Sequence, residues 1–406
     1  MDRDLLIATY ADLAVRAGCN LQPGQRLLIE TVVEHAHFAR AITRAAYAAG
    51  ARHVEVYYED RHVQKAMIEN AADEVLTWTP PHLLHQRRGL ADDRAASIWI
   101  VGDPDPEIFA DLDPARVGKA RMVALREEGV KQVNERSVAW AIVAYPNEGW
   151  AEAVFGVPDV DRLWDAVARA TRLYDDDPVA SWKEHVERLG ARADALNELE
   201  LDVLRYRGPG TDLTVGLLPE SRWMSARFET SWGQRHIPNL PTEEVFTTPD
   251  RLRTEGTVRS TRPLVLENEG VTVRDLEMRF EGGKIVDVRA SSGAEVVRAQ
   301  METDEHAPYL GEVALVDEAS AVGATGVTFK NTLFDENATS HIAYGAGFAF
   351  AVEGAAGLSP EQQLEAGVNH STVHTDFMVG GPEVSIDGIT SDGKTIPIIH
   401  DDAWQL

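Results

Sequence analysis

The sequence predicts an α/β protein in two parts, a doubly wound α/β domain over residues 1–199 and a mixed α+β domain over residues 200–406. Three observations lead there. Short apolar runs alternate with helix-period stretches through the first half. A long amphipathic stretch closes that half, and beyond it the chain turns to strand-like runs cut by Gly and Pro.

The elements follow in order. Residues 26–31 (RLLIET) come after Pro23-Gly24 and are short and apolar, as a buried strand is. Residues 37–49 carry Phe38, Ile42, Ala45 and Ala46 at helical spacing, and Gly50 supplies a C-terminal cap. Strands are expected again at 53–58, 96–101 and 139–144, the last two each followed by a helical stretch. Repeated strand–helix–strand units imply a mainly parallel sheet covered by helices. Residues 175–199 read as one helix with Trp182, Val186, Leu189, Ala193 and Leu196 on one side. Strands then follow at 201–206, 213–217, 271–280 and 283–291, with Glu281-Gly282-Gly283-Lys284 as a hairpin turn.

Composition narrows the function classes. The 406 residues give two domains room for a core each, and 44% apolar with 26% charged residues is ordinary for a soluble globular protein. The net charge of −27 would repel a phosphate backbone, so no nucleic-acid partner is expected. The N-terminus is charged and periodic rather than basic then apolar, and no apolar run approaches the roughly 18 residues of a membrane span. A single cysteine, Cys19, excludes an internal disulfide framework and a Cys-based zinc site, so a reducing cytoplasm is expected.

The first half holds little chemistry. Glu34-His35-Ala36-His37 reads as a polar helix start, because residues two apart on a helix point in different directions. Neither a phosphate-binding glycine loop nor an HExxH helix is present. The second half differs. His374 and Asp376 lie in STVHTDFMV, where strand alternation would project both from one face. Glu336 and His341 are too far apart for one helical face, but a loop leading into a new element would join them. Glu312 interrupts an apolar strand-like run, where a carboxylate rarely stays buried without a partner or a metal. Glu243 and Glu244 sit between Pro241 and Pro249. Taken alone, His374 and Asp376 read first as neighbouring surface residues, the Glu336–His341 segment as a polar loop with a cap, and Glu243-Glu244 as part of a capped turn. Together, two His and four carboxylates suit two divalent ions sharing carboxylates, and zinc, cobalt or manganese better than calcium.

The segments NLPTEEVFTTP (239–249), LGEVALV (310–316), FDENATSH (334–341) and HTDFMVGGPEVSIDG (374–388), with the strand–helix first half, resemble the aminopeptidase T and aminopeptidase S (PepS-like) metallopeptidases. The likeness runs in order across most of the chain. It implies two divalent metal ions (zinc, cobalt or manganese, with magnesium a further option) held by Glu244, Glu312, Glu336, His341, His374 and Asp376. Glu244 is preferred to Glu243 because the family varies at the first position of that pair. The resemblance also implies N-terminal cleavage of short peptides and a homodimer. Glu312 or Glu336 would serve as the general base, with the choice open.

The chain departs from the family at one position. A Tyr commonly stands seven residues after the His matching His341, and here that residue is Phe348. A lost phenol donor can cost about 2.7–4 kcal/mol of transition-state stabilisation. Two other readings use the same residues. A ring-cleaving dioxygenase of this fold would need only His341, His374 and Asp376 around one ferrous iron. A non-catalytic binding protein would be consistent with Phe348 alone.

Overall fold

A computed structural model of the chain describes residues 2–120, 122–266 and 271–406. It divides into two compact units. One holds the described residues up to His185 together with Ala226–Pro241. The other holds Val186–Ser225, Thr242–Leu266 and Val271–Leu406. The division falls inside the long helix Pro178–Glu198, and the boundary expected near Leu199 lies just past its end. Trp182 Nε1 donates to Thr171 O at 2.8 Å in the first unit, while Ala193 and Leu196 belong to the core of the second.

The first unit is built on β1 (Arg26–Val32), β2 (His53–Glu59), β3 (Ala96–Val101) and β4 (Ala139–Ala144), all parallel in the order β2-β1-β3-β4. The connection from β1 to β2 runs one way across the sheet and those to β3 and β4 run back. Right-handed crossovers therefore put the intervening helices on opposite faces. The contacts agree: α1 (Arg3–Leu13) packs with α2 (Ala36–Ala48), and α3 (Pro81–Asp92) with α4 (Val123–Asn134). A sheet covered on both faces needs continuous apolar strands, and Leu27, Leu28 and Ile29 are buried in succession.

His35 stands in the polar turn before α2 and is 1% exposed. Its Nδ1 lies 3.0 Å from Thr31 Oγ1 and its Nε2 2.9 Å from Gly102 O. Burial pushes its pKa down to about 4, so the ring is neutral at physiological pH. His35 closes a helix start and meets no carboxylate cluster.

The second unit is antiparallel. Its two larger sheets are built from β5 (Leu201–Gly208), β6 (Thr211–Leu217), β7 (Val245–Thr247), β8 (Pro249–Arg259), β9 (Glu277–Glu281), β10 (Lys284–Arg289), β11 (Leu310–Leu315), β12 (His341–Gly345), β13 (His374–Met378), β14 (Ser385–Thr390), β15 (Thr395–His400) and β16 (Ala403–Trp404). Eight form one sheet in the order β10-β9-β8-β6-β5-β14-β15-β16. The other four form a second sheet in the order β13-β12-β11-β7. Leu204, Tyr206, Leu213 and Val215 from the larger sheet share a buried core with Val313, Ile342 and Phe377 from the smaller.

The hairpin at 281–284 forms as expected. Gly282 and Gly283 have φ of 57° and 82°, and a Cβ on Gly283 would meet Arg251 O at 2.0 Å. The single strand expected over 271–280 is corrected to two. Asp275 takes φ 51°, which ends one strand, so Val271–Val273 pairs with Leu264–Leu266 while β9 pairs with β8. Among the described residues no helix is long and apolar enough to cross a membrane.

Candidate metal centre

The smaller sheet of the second unit assembles the candidate residues through register. Across β12 and β13, His341 faces Met378, Ala343 faces Asp376 and Gly345 faces His374. Side chains alternate along a strand, so His341, His374 and Asp376 share one face. On β11 the pairing slips. Leu310 faces Tyr344, but Glu312 faces Ala343, so one extra residue is inserted between them. That bulge turns Glu312 onto the histidine face, which regular alternation from Leu310 would deny it. Ala314 faces both His341 and Phe246, and Glu244 two residues before Phe246 continues the same row. Ala343 and Gly345 are small and leave the middle of the row open. Gly345 is required there, since its φ is 101° and a Cβ would meet Val373 O at 2.1 Å.

Glu336 arrives differently. It opens a short 3-10 turn, Glu336–Ala338, after the helical turn Thr332–Asp335, with β12 starting at His341. The six residues named from the sequence thus come together: four on strands, and Glu244 and Glu336 on irregular segments beside them.

The polar atoms sort into two groups that share one residue. Glu244, Glu312 and His341 each present a ligand atom within 4.8 Å of the others, and so do Glu312, His374 and Asp376. His341 Nε2 lies 3.1 Å from Glu244 Oε2 and 4.0 Å from Asp376 Oδ1. His374 Nε2 lies 3.3 Å from Glu312 Oε2 and 3.4 Å from Asp376 Oδ1. Both rings use Nδ1 against the backbone, His374 at 2.8 Å from Ala346 O and His341 at 3.5 Å from Thr339 O. That arrangement fixes the tautomer and aims Nε2 at the cluster, as metal-binding histidines require. The side chain of His374 is 25% exposed and that of His341 1%, so the cluster opens on the His374 side.

Electrostatics test whether cations fit. Burial pushes the Glu312 carboxyl up to about 7, with the charges of Asp376 and Glu244 adding to it. Burial and the same two carboxylates hold Glu336 well above the usual range. Burial works against a charged imidazole at His341, yet the hydrogen bond to Glu244 and the surrounding carboxylates carry it up to about 10. His374 is raised in the same way by Asp376 and Glu312. Burial opposes the charge on Asp376 too, but the two histidines leave its pKa lowered. Positive charge is what this cluster lacks, and Asp376 Oδ1 is buried without a hydrogen-bond partner. The donor set therefore fits divalent ions.

Phe348 lies at the open side. Its ring centroid is 5.1 Å from that of His374, 5.2 Å from Phe350 and 5.5 Å from Phe246. Its backbone exchanges hydrogen bonds with Thr248 Oγ1 at 2.9 and 3.1 Å. Tyr344 does not replace the missing phenol. It lies on the other face of β12, where its hydroxyl donates to Gln300 Oε1. A cavity lined by Leu264, Val265, Thr332, Met378 and Asp335 borders Glu336 and Asp376.

Three supporting residues escaped the sequence reading. Asn337 is fully buried and bonds both loop-borne segments. Ser340 Oγ ties β12 to Val316 through its N–H and its carbonyl, at 3.0 and 2.9 Å. Asp304 accepts from Ser371 Oγ, Thr372 N and Thr372 Oγ1, each at 2.9 Å, and so fixes the approach to β13. Asn337 and Ser340 lie between Glu336 and His341, which was a usable signal; Asp304 had none.

Comparison with known proteins finds relatives over nearly the whole chain. Aminopeptidase T of Thermus aquaticus is 40% identical over 402 residues, covering 98% of this chain and 97% of that protein. The solved structure titled wild-type AmpT from Thermus thermophilus superposes with a TM-score of 0.90 at 37% identity, covering 100% of both chains. A 2,5-dihydroxypyridine dioxygenase from Pseudomonas putida matches with a TM-score of 0.56 at 12% identity, over 99% of this chain and 97% of that one, a likeness of fold alone. The profile of the thermophilic metalloprotease family, M29, matches residues 4–404. The chain belongs to the thermophilic metalloprotease (M29) family.

Proposed function

We propose that the protein is a metal-dependent aminopeptidase that uses two divalent ions to remove the N-terminal residue from short peptides. The observation that carries the reading is the sharing of Glu312 by two ligand groups. Glu244, Glu312 and His341 would hold one ion, and Glu312, His374 and Asp376 the other, with Glu336 beside both. Bound there, zinc, cobalt or manganese supplies Lewis acidity and lowers the pKa of a bound water toward neutrality.

The chain's own residues do the rest. His341 and His374 keep Nε2 aimed inward through their Nδ1 bonds to the backbone. Asn337 Nδ2 donates to Glu336 Oε1 at 3.3 Å and so helps to orient that carboxylate. Placed beside both groups and named in neither, Glu336 would be the carboxylate that carries a proton from the attacking water to the leaving amine. Glu312 is the other candidate for the role, but it is committed to both ligand groups. The free α-amine of the substrate would be met by the remaining carboxylate charge, which restricts cleavage to the first peptide bond. Phe348 would line the approach beside His374. A homodimer and a cytoplasmic location complete the proposal, and sedimentation and fractionation check them.

The test strips the purified protein with a chelator and follows leucine p-nitroanilide hydrolysis as zinc, cobalt or manganese is returned. Activity restored near two equivalents supports the reading. Failure to hydrolyse any aminoacyl substrate with any of these ions overturns it.

A further inference from the structure

The six candidate ligands divide by how the fold holds them. Glu312, His341, His374 and Asp376 stand on hydrogen-bonded strands, so their backbone positions follow from ladder register. Glu244 precedes β7, and Glu336 opens a 3-10 turn. No ladder fixes these two relative to each other, although both must reach the same few ångströms.

Asn337 bridges them. Its residue is 0% exposed. Its Oδ1 accepts the backbone N–H of Glu243 at 2.7 Å, one residue before Glu244. Its Nδ2 donates to Glu336 Oε1 at 3.3 Å and to Leu333 O at 3.1 Å. Its own carbonyl accepts the Ser320 hydroxyl at 2.6 Å. An amide is the one side-chain chemistry that offers an acceptor and two donors from a single short group. Aspartate keeps the acceptor for Glu243 but turns a second oxygen toward the Glu336 carboxylate. Alanine removes both arms. Neither replacement touches the strand-borne ligands.

We infer that Asn337 is a positioning residue that sets the loop-borne half of the metal centre, fixing Glu244 and Glu336 together while His374 and Asp376 are fixed independently by the sheet. This rests on the two-ion reading above. It assigns the two ions different dependence on Asn337. The ion of the Glu244–Glu312–His341 group needs the bridge because Glu244 is one of its three ligands, while the Glu312–His374–Asp376 group keeps all three of its ligands on strands. A purely local role, capping the turn through Leu333 O, would predict a loss of stability with no change in ion affinity.

The test titrates chelator-stripped wild type, Asn337→Ala, Asn337→Asp and Ser320→Ala with manganese(II) by calorimetry, with a melting curve for each metal-free protein. In Asn337→Ala one equivalent weakens by about 10–100-fold, the usual cost of removing a group that orients a ligand, and the other is unchanged. Asn337→Asp, close to isosteric and the safer variant for folding, weakens the same equivalent. Ser320→Ala removes only the bond to the Asn337 carbonyl and its own turn contacts, so it lowers the melting temperature and leaves both affinities unchanged. Wild-type affinities in both Asn337 variants would overturn the inference. Equal weakening in Ser320→Ala would also overturn it, because general loosening of the segment would then explain the loss. A wild type that takes up a single equivalent would sink the two-ion proposal, while the affinity ratio of variant to wild type would still read the bridge.

Discussion

Two histidines, one in each unit, are equally buried and end in opposite states. His35 and His341 are both 1% exposed. Burial takes His35 down to about 4, because its hydrogen bonds to backbone carbonyls and the charge of Asp103 offset only part of the burial. His341 suffers the same burial, but Glu244, Asp376 and Glu312 overcome it and carry the ring up to about 10. Burial alone therefore does not mark a site. Carboxylates gathered where water cannot solvate them do, and the remedy for such a cluster is a cation. The first unit makes a histidine structural by leaving it neutral. The second surrounds two with more negative charge than they can balance.

The comparison can be broken most sharply at Glu312, which belongs to both ligand groups. Glu312→Gln keeps the shape and removes the charge, and hydrolysis should fall by about a thousandfold or more, several kcal/mol of charge stabilisation at tenfold per 1.36 kcal/mol. Metal content should fall with it, while the first unit's melting is unaffected. Full activity in Glu312→Gln would contradict the shared-ligand arrangement. Next in size is Phe348→Tyr, which restores a phenol beside His374. If the hydroxyl reaches the developing oxyanion, kcat should rise by about 10²-fold with metal content constant, in line with the worth of one such donor. An unchanged kcat would mean that the Phe348 ring serves only as an apolar wall.

His35 offers the opposite kind of test. Its folded pKa lies below the usual 6.5, so as pH falls from about 6.5 toward 4 the unfolded chain takes a proton that the folded chain refuses. Stability is full above 6.5 and declines through that window, by about 3 kcal/mol for a shift of roughly 2.5 units at 1.36 kcal/mol each. His35→Gln should flatten the acid limb of the melting profile, cost about 1–3 kcal/mol at neutral pH from lost buried hydrogen bonds, and leave metal affinity untouched. A change in metal affinity would erase the distinction between the two units. The smallest effect is expected at Tyr344→Phe. Its hydroxyl bonds Gln300 on the far face of the sheet, so stability should drop by about 1 kcal/mol with unchanged activity. A large kinetic defect would show that the two faces are not separate.

Sequence patterning carried much of the fold. Residues 26–31, 96–101 and 139–144 were readable because strands buried on both faces are short apolar runs, the edge strand at 53–58 because it is rich in Val and Tyr, and the helix at 178–198 because its apolar stripe has one period throughout. β8 was missed because PDRLRTEGTVR is half charged, and its burial comes from partners far away in sequence. Asp275 broke an expected strand because a positive φ at a non-glycine residue leaves no periodic trace.

The candidate site shows the same boundary. His374 and Asp376 could be paired from i and i+2 alternation. Glu312 could be flagged as a carboxylate in an apolar run, yet its facing depends on a bulge defined only against β12. The sharing of Glu312 between two groups, and the bridge at Asn337, are long-range facts that no local pattern encodes.

The most direct test of the central claim is anomalous diffraction from crystals of the protein soaked with manganese or zinc. The account predicts two peaks about 3.5–4 Å apart, both at coordinating distance from Glu312, one also against Glu244 and His341 and the other against His374 and Asp376. A single peak bound by His341, His374 and Asp376 without Glu312, or two peaks that share no carboxylate, would contradict it.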